Sequence, residues 1–277
     1  MQLRRTQPLL APLLLALLGY APQIRANLIA FDPFDYPAGA VSGANGGTGF
    51  SAAWAAGSSF SVNSGNLSTP TYTGTGNDVQ FSSTSSATMY RPVLTTFGVT
   101  GSDIWISYLT NPTSVSAYSS LELGAPVGSP SPTVGILGGS LGIGPASAFW
   151  GIDQINGQNY TSALSSKPIS YGQTTLLVIH ILGNVQHTVD LYVNPGATLP
   201  ASPDASMNGF FGSTGQHFLT FQSNNANTLF DELRVGTTFA DVAPAPEPHS
   251  LAILGIPVAA LVARRGRASR RRRVVCQ

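Results

Sequence analysis

TTLLVIHILGNVQHTVDLYVNP, residues 174–195, reads as two strands joined by a turn. Its first half is apolar at every position from Leu176 to Ile179 and again at Ile181 and Leu182, the pattern of a central strand covered on both faces. Gly183-Asn184 supplies a hairpin turn. The second half alternates, with Val189, Leu191 and Val193 on one face, and closes on a turn at Asn194-Pro195. DIWISYLT, residues 103–110, repeats the period of two, setting Ile104, Ile106 and Tyr108 against Trp105, Ser107 and Leu109.

The same signature recurs across residues 27–243, in FSVNSGNLST, NDVQFSS, ATMYRPVL, SSLELGA, TVGILGG, AFWGIDQI, HFLTFQS and LFDELRVGTT. Gly, Ser, Thr, Asn and Pro return every few positions, and no long apolar stripe of helical period appears. About eleven to thirteen short strands separated by turn clusters predict an all-β fold, an antiparallel two-sheet sandwich.

Charge is distributed unevenly. Within residues 27–243 the basic side chains are Arg91, Lys167 and Arg234 against 11 acidic ones, a net of −8, although the whole chain of 277 residues balances at +1. Such a body repels nucleic acid, whose binding depends on Lys and Arg neutralising phosphates. The single cysteine, Cys276, lies near the C-terminus, so the body has neither a disulfide nor a thiolate metal site. It must be held by its core, and a segment of this size buries roughly 70% of its unfolded surface.

The two ends read as export signals. Residues 1–26 have Arg4 and Arg5, an apolar run from Leu9 to Leu18 and then small residues, the layout of a secretory signal peptide, with cleavage expected after Ala26 or, alternatively, Ala21. Residues 243–277 carry Pro246-Glu247-Pro248, an apolar segment (250–263) read as a transmembrane helix, and an arginine-rich tail of Arg264, Arg265, Arg267, Arg270, Arg271, Arg272 and Arg273. Both arginine groups lie on the cytoplasmic side if the body lies outside, so the two ends agree on one topology. The prolines fix an extended, solvated spacer ahead of the helix, a form that a protease binds easily.

This tripartite end resembles the PEP-CTERM sorting signal of Gram-negative bacteria. The resemblance implies recognition of Pro246, Glu247 and Pro248 by an exosortase, transient residence in the inner membrane, and removal of the tail on the way to the cell surface or extracellular matrix. Val274 to Gln277 extend beyond the arginines, where the family usually stops sooner. An anchor that is never processed is the alternative.

The body resembles the concanavalin A-like or laminin-G-like jelly rolls of exported proteins. The resemblance is carried by FDPFDYPAGAVSGANGGTGFSAAW, FWGIDQINGQNY, GQTTLLVIHI, TVDLYVNP and FDELRVGTTFADV, which together span most of residues 31–242. It implies a last strand, Leu229 to Val235, lying near the first. It also implies a sandwich over residues 27–242; none of the segments that carry it is a catalytic motif, and the expected role is adhesion or polysaccharide association, not catalysis.

Several side chains are candidates for chemistry. Asp32, Asp35, Asp231 and Glu232 fall on the first and last strands and supply hard oxygen ligands for a calcium ion, the one cofactor the sequence suggests. Trp54, Trp150 and Tyr160 are aromatic candidates for a sugar platform, with Asp153, Gln154, Asn156 and Gln158 as polar neighbours of the last two. GGSLG, residues 138–142, matches a serine-hydrolase elbow around Ser140, but Gly144 and Pro145 stand where its helix would begin. His180, His187 and His217 lack a recognisable zinc spacing. The alternative of a glycan hydrolase needs two carboxylates across one bond, and the body offers the glutamates Glu122 and Glu232, far apart in sequence.

Overall fold

Alternating side chains bury one face of a strand, and the structure shows that alternation at residues 60–63 and 205–208, while the central strands are buried on both faces. The computed structural model describes residues 28–113, 118–124, 132–136, 148–156, 159–184, 187–208, 216–224 and 226–243. Its strands begin with β1 (Leu28–Asp32), β2 (Gly39–Ala40), β3 (Ala55–Ala56), β4 (Phe60–Asn63), β5 (Ser68–Thr69) and β6 (Tyr72–Thr73). They continue with β7 (Asp78–Ser83), β8 (Ala87–Phe97), β9 (Asp103–Pro112), β10 (Tyr118–Gly124), β11 (Pro132–Ile136) and β12 (Phe149–Asn156). The last are β13 (Asn159–Pro168), β14 (Thr175–Leu182), β15 (Thr188–Val193), β16 (Ala205–Asn208), β17 (Gln216–Asn224) and β18 (Ala226–Gly236), followed by one short helix, α1 (Phe239–Val242).

The larger sheet has nine strands in the order β16-β15-β14-β9-β18-β7-β4-β2, with β1 also paired to β18. The smaller has seven, β13-β12-β11-β10-β17-β8-β3, and β5 and β6 form a separate hairpin. Every neighbouring pair is antiparallel. The chain is therefore an antiparallel two-sheet sandwich. No helix among the described residues is long and apolar enough to cross a membrane.

The decisive stretch behaves as its pattern requires. β14 lies between β9 and β15, and the turn brings Leu182 opposite Thr188. Leu177, Ile179 and Ile181 enter the core between the sheets, while Leu176 and Val178 join a second apolar cluster with Trp105, Leu109, Tyr192 and Phe239. That second cluster exists because α1 and the segment around Leu67 and Tyr72 cover the outer face of the larger sheet. The sheet thus needs apolar residues on both sides, which is why β14 and β9 do not show a polar face.

First and last strands pair, Asp32 opposite Leu233 and Phe31 opposite Arg234. β1 and β7 share one edge of β18, and β18 breaks register against β9 between Asp231 and Arg234, where Glu232 takes a φ of 52°. This bulge turns two carboxylates out of the ladder.

Candidate functional site

The outer face of the smaller sheet is built by three central strands with one side in the core. Leu121 on β10, Val134 on β11 and Ile152 on β12 are core residues in mutual register. Alternation therefore sends Ser120 and Glu122, Gly135, and Gly151 and Asp153 to the opposite face. Glu122 stands opposite Thr133 on one side and Thr220 on the other; Thr133 stands opposite Asp153, and Thr220 opposite Tyr90. The neighbouring row runs from Gln222 through Ser120, Gly135 and Gly151 to Leu164.

Two glycines, Gly135 and Gly151, stand at the centre of that row, and both are buried. Gly135 has a φ of 149°, and a Cβ there would overlap the carbonyl oxygen of Ser119. Along β12 the row is flanked by Phe149, 39% exposed, on one side and the half-buried Asp153 on the other. Along β10 it is flanked by Tyr118 and Glu122 in the same sense. This strip, the trough, has aromatic side chains along one flank and carboxylates along the other, and Ser120, Gly135, Gly151 and Thr220 within it are buried.

The polar groups of the trough are only partly satisfied. Ser162 donates to Asp153 at 3.2 Å, and Tyr118 donates to the Gln222 amide oxygen at 3.3 Å. Burial raises the Asp153 carboxyl above its ordinary value, partly offset by the Ser162 hydroxyl. Ser120 and Thr220 are 0% and 1% exposed, and their hydroxyl oxygens have no hydrogen-bond partner. An orphaned buried hydroxyl is costly, and such groups concentrate where a ligand or ordered water completes them.

Of the residues singled out from the sequence, Glu122 and Asp153 lie in this strip and the others are placed elsewhere. Trp54 and Trp150 are 1% and 2% exposed, so their rings pack in the core and form no exposed platform. Trp54 donates its indole N–H to Asp32 at 2.8 Å. Tyr160 lies on β13 opposite Ile155, one strand beyond Asp153. Ser140, Pro246, Glu247, Pro248 and the arginines Arg264 to Arg273 lie outside the described residues.

The four carboxylates considered for calcium are near one another along the chain pairing but do not converge. Asp32 points into the core, where it accepts from the Phe34 amide, Tyr36, Trp54 and Arg91. Asp35 is exposed. Asp231 accepts from the Leu67 and Glu232 amides, and Glu232 accepts from Tyr72, Thr75 and Arg234, beneath the cover on the outer face of the larger sheet. Gly74 closes this clasp; a Cβ there would meet the Leu67 carbonyl and the Asp231 carboxylate. Among the described residues no three His, Cys, Asp or Glu side chains are grouped to hold a metal ion.

The histidines are likewise separate. His180 pairs across the hairpin with Asp190, not His187, accepts or donates at 2.7 Å with Asp103, and stacks on Trp105 with ring centroids 3.8 Å apart. His217 is exposed on β17. Glu122 and Glu232 lie on the outer faces of different sheets, with the core between them, so these two cannot flank one glycosidic bond.

Sequence reasoning missed the trough because its makers are ordinary strand residues. Ser120, Gly135, Gly151 and Thr220 gain meaning only once four strands are in register. Glu122 and Asp153 were visible as carboxylates, but nothing in their spacing says that two strands bring them to one row.

No protein-family model and no curated protein matches the chain. Among solved structures, domain 4 of AbnA, a GH43 extracellular arabinanase from Geobacillus stearothermophilus in complex with arabinotriose, is 16% identical with a TM-score of 0.49, over 76% of this chain and 92% of that one. An endo-β-1,4-glucuronan lyase from the fungus Trichoderma reesei is 12% identical, with a TM-score of 0.43 over 68% of this chain and 91% of that one. The Caenorhabditis elegans galectin LEC-6 is 14% identical, with a TM-score of 0.36 over 57% and 95% respectively. At these values nothing about ligand or activity carries over.

Proposed function

We propose that the protein is exported across the inner membrane, sorted by an exosortase through Pro246, Glu247 and Pro248, and released to the cell surface or matrix, where its sandwich associates with polysaccharide. The sorting half rests on the tripartite tail and on its agreement with the N-terminal arginines. The observation that supports the binding half is the outer strip of the smaller sheet, where the exposed Phe149 and the half-buried Glu122 and Asp153 flank two buried hydroxyls without a hydrogen-bond partner. A sugar offers an apolar face to a ring and hydroxyls to carboxylates, and Phe149 with Glu122 and Asp153 supplies both kinds of group.

Thr220→Val tests it. The replacement keeps shape and removes an unsatisfied hydroxyl, so stability is unchanged or rises. Binding to the host's extracellular polysaccharide, measured by retention on immobilised glycan, falls several-fold if the hydroxyl serves the ligand. Unaltered retention by both Thr220→Val and Ser120→Ala removes the trough as the site.

One observation favours a second reading, a glycan hydrolase. Glu122 and Asp153 share a row two strand spacings apart, about 9–10 Å between backbones, and inverting glycosidases hold their carboxyls roughly 6.5–9.5 Å apart. Turnover of the bound polysaccharide that disappears in both Glu122→Gln and Asp153→Asn selects this reading; binding without turnover excludes it.

A further inference from the structure

A cleft with a cavity volume of about 740 Å³ is lined by Pro168, the strand partner of Phe149. Its wall includes Trp150, Lys167, Ser170, Tyr171, Gln173 and Asn194, drawn from β12, the end of β13, the connection into β14, and the turn after β15. Of the body's three Lys and Arg residues, Arg91 is 2% exposed and bound to Asp32, and Arg234 is 19% exposed and bound to Glu232. Lys167 alone reaches solvent, 53% exposed, with its ammonium 3.8 Å from Asp204, beyond hydrogen-bonding distance. The body carries a net −8, so this cleft is the one place on it where an exposed Lys or Arg side chain meets an anion.

The remaining lining suits a saccharide. Asn194 is held at a φ of 49° with its side-chain oxygen accepting from the Leu176 amide at 2.8 Å, which leaves its Nδ2 as an unspent donor at the rim. Ser170 and Gln173 add neutral donors and acceptors, and Tyr171, half-buried, adds a ring. We propose that this cleft binds an acidic saccharide residue, its single anionic group on Lys167 and its hydroxyls on Gln173, Ser170 and Asn194. A single ammonium fits one monoanionic group, a uronate carboxylate or a sulfate ester. The cleft has a different lining from the trough and shares with the proposed function only the glycan nature of the ligand.

The test is calorimetric titration of the full-length protein in non-ionic detergent with an oligogalacturonate, its carboxyl-reduced neutral counterpart, and a sulfated oligosaccharide of equal length. Wild type binds one or both acidic probes at least tenfold more tightly than the neutral one, and affinity falls as salt is raised. The better of the two acidic probes identifies the anionic group. Lys167→Gln abolishes that preference without altering the melting temperature, because the side chain is exposed and weakly paired. The acidic-over-neutral preference reads the cleft and retention on neutral polysaccharide reads the trough, so failure of the one and failure of the other are distinguished. Equal binding of acidic and neutral probes, or a preference that survives Lys167→Gln, overturns the assignment.

Discussion

At the scale of single residues, the body is held by two buried charged assemblies placed on opposite faces of the larger sheet. In the core, Asp32 on β1 and Arg91 on β8 join the two sheets through a 2.7 Å ion pair at 0% and 2% exposure. Arg91 also donates to the Ala52 and Gly46 carbonyls and to Asn45, and its guanidinium lies 4.1 Å from the Phe50 ring centroid. With all three guanidinium nitrogens hydrogen-bonded, Arg91→Met strands the Asp32 carboxylate and costs about 3–5 kcal/mol in urea unfolding. Arg91→Met combined with Asp32→Leu recovers part of that loss, and a double mutant no better than the single would show that the pair matters only through packing. On the outer face, burial, reinforced by the Glu232 carboxylate, pushes Asp231 from 3.8 up to about 8. The folded state therefore holds the Asp231 proton more tightly than the unfolded state. Its stabilising contribution is full below about pH 4 and is lost as pH rises through about 8. Asp231→Asn gives up one amide acceptor and loses about 1–3 kcal/mol at pH 5. Its melting temperature then declines less steeply than that of the wild type between pH 5 and pH 8. Parallel profiles would contradict the assignment of that slope to Asp231.

At the scale of elements, strands were readable from alternation wherever one face met the core and the other met solvent or a cover. Ile104, Ile106 and Tyr108 on β9 and Val189, Leu191 and Val193 on β15 all lie in the core, as their period of two requires. The pairing of β1 with β18 follows the order that the resemblance to jelly rolls implies. The shortest elements carried no legible pattern: β2, β3, β5 and β6 have two residues each, and the four-residue β16 carries no β-branched residue. β13 was hidden because NYTSALSSKP has a polar composition, and as an edge strand it needs no second apolar face. The trough was illegible for a related reason, since side-chain rows across strands depend on register, which turn lengths and bulges set. Gly135 tests the element directly: Gly135→Ala places a Cβ against the Ser119 carbonyl at a φ that L side chains rarely adopt. It should separate β11 from β10 and lower stability by about 2 kcal/mol or more, with retention on polysaccharide lost in parallel. A neutral effect in urea unfolding would mean that the β10–β11 register can shift by relaxation.

At the scale of the whole molecule, charge is partitioned along the chain. The sandwich is acidic, and the arginines that balance it sit in the two terminal segments. That partition suits a body that leaves the cytoplasm and ends that orient on its inner side. Two apolar clusters and two buried charged assemblies hold the sandwich without a disulfide. The central claim, delivery of this body to the surface by removal of its tail, is tested most directly by intact mass and C-terminal peptide mapping of the protein recovered from its host, with and without alanines at Pro246, Glu247 and Pro248. The account predicts that residues 251–277 are missing from the native protein and retained in the alanine variant. A native protein that keeps its arginine tail and remains in the membrane would contradict it.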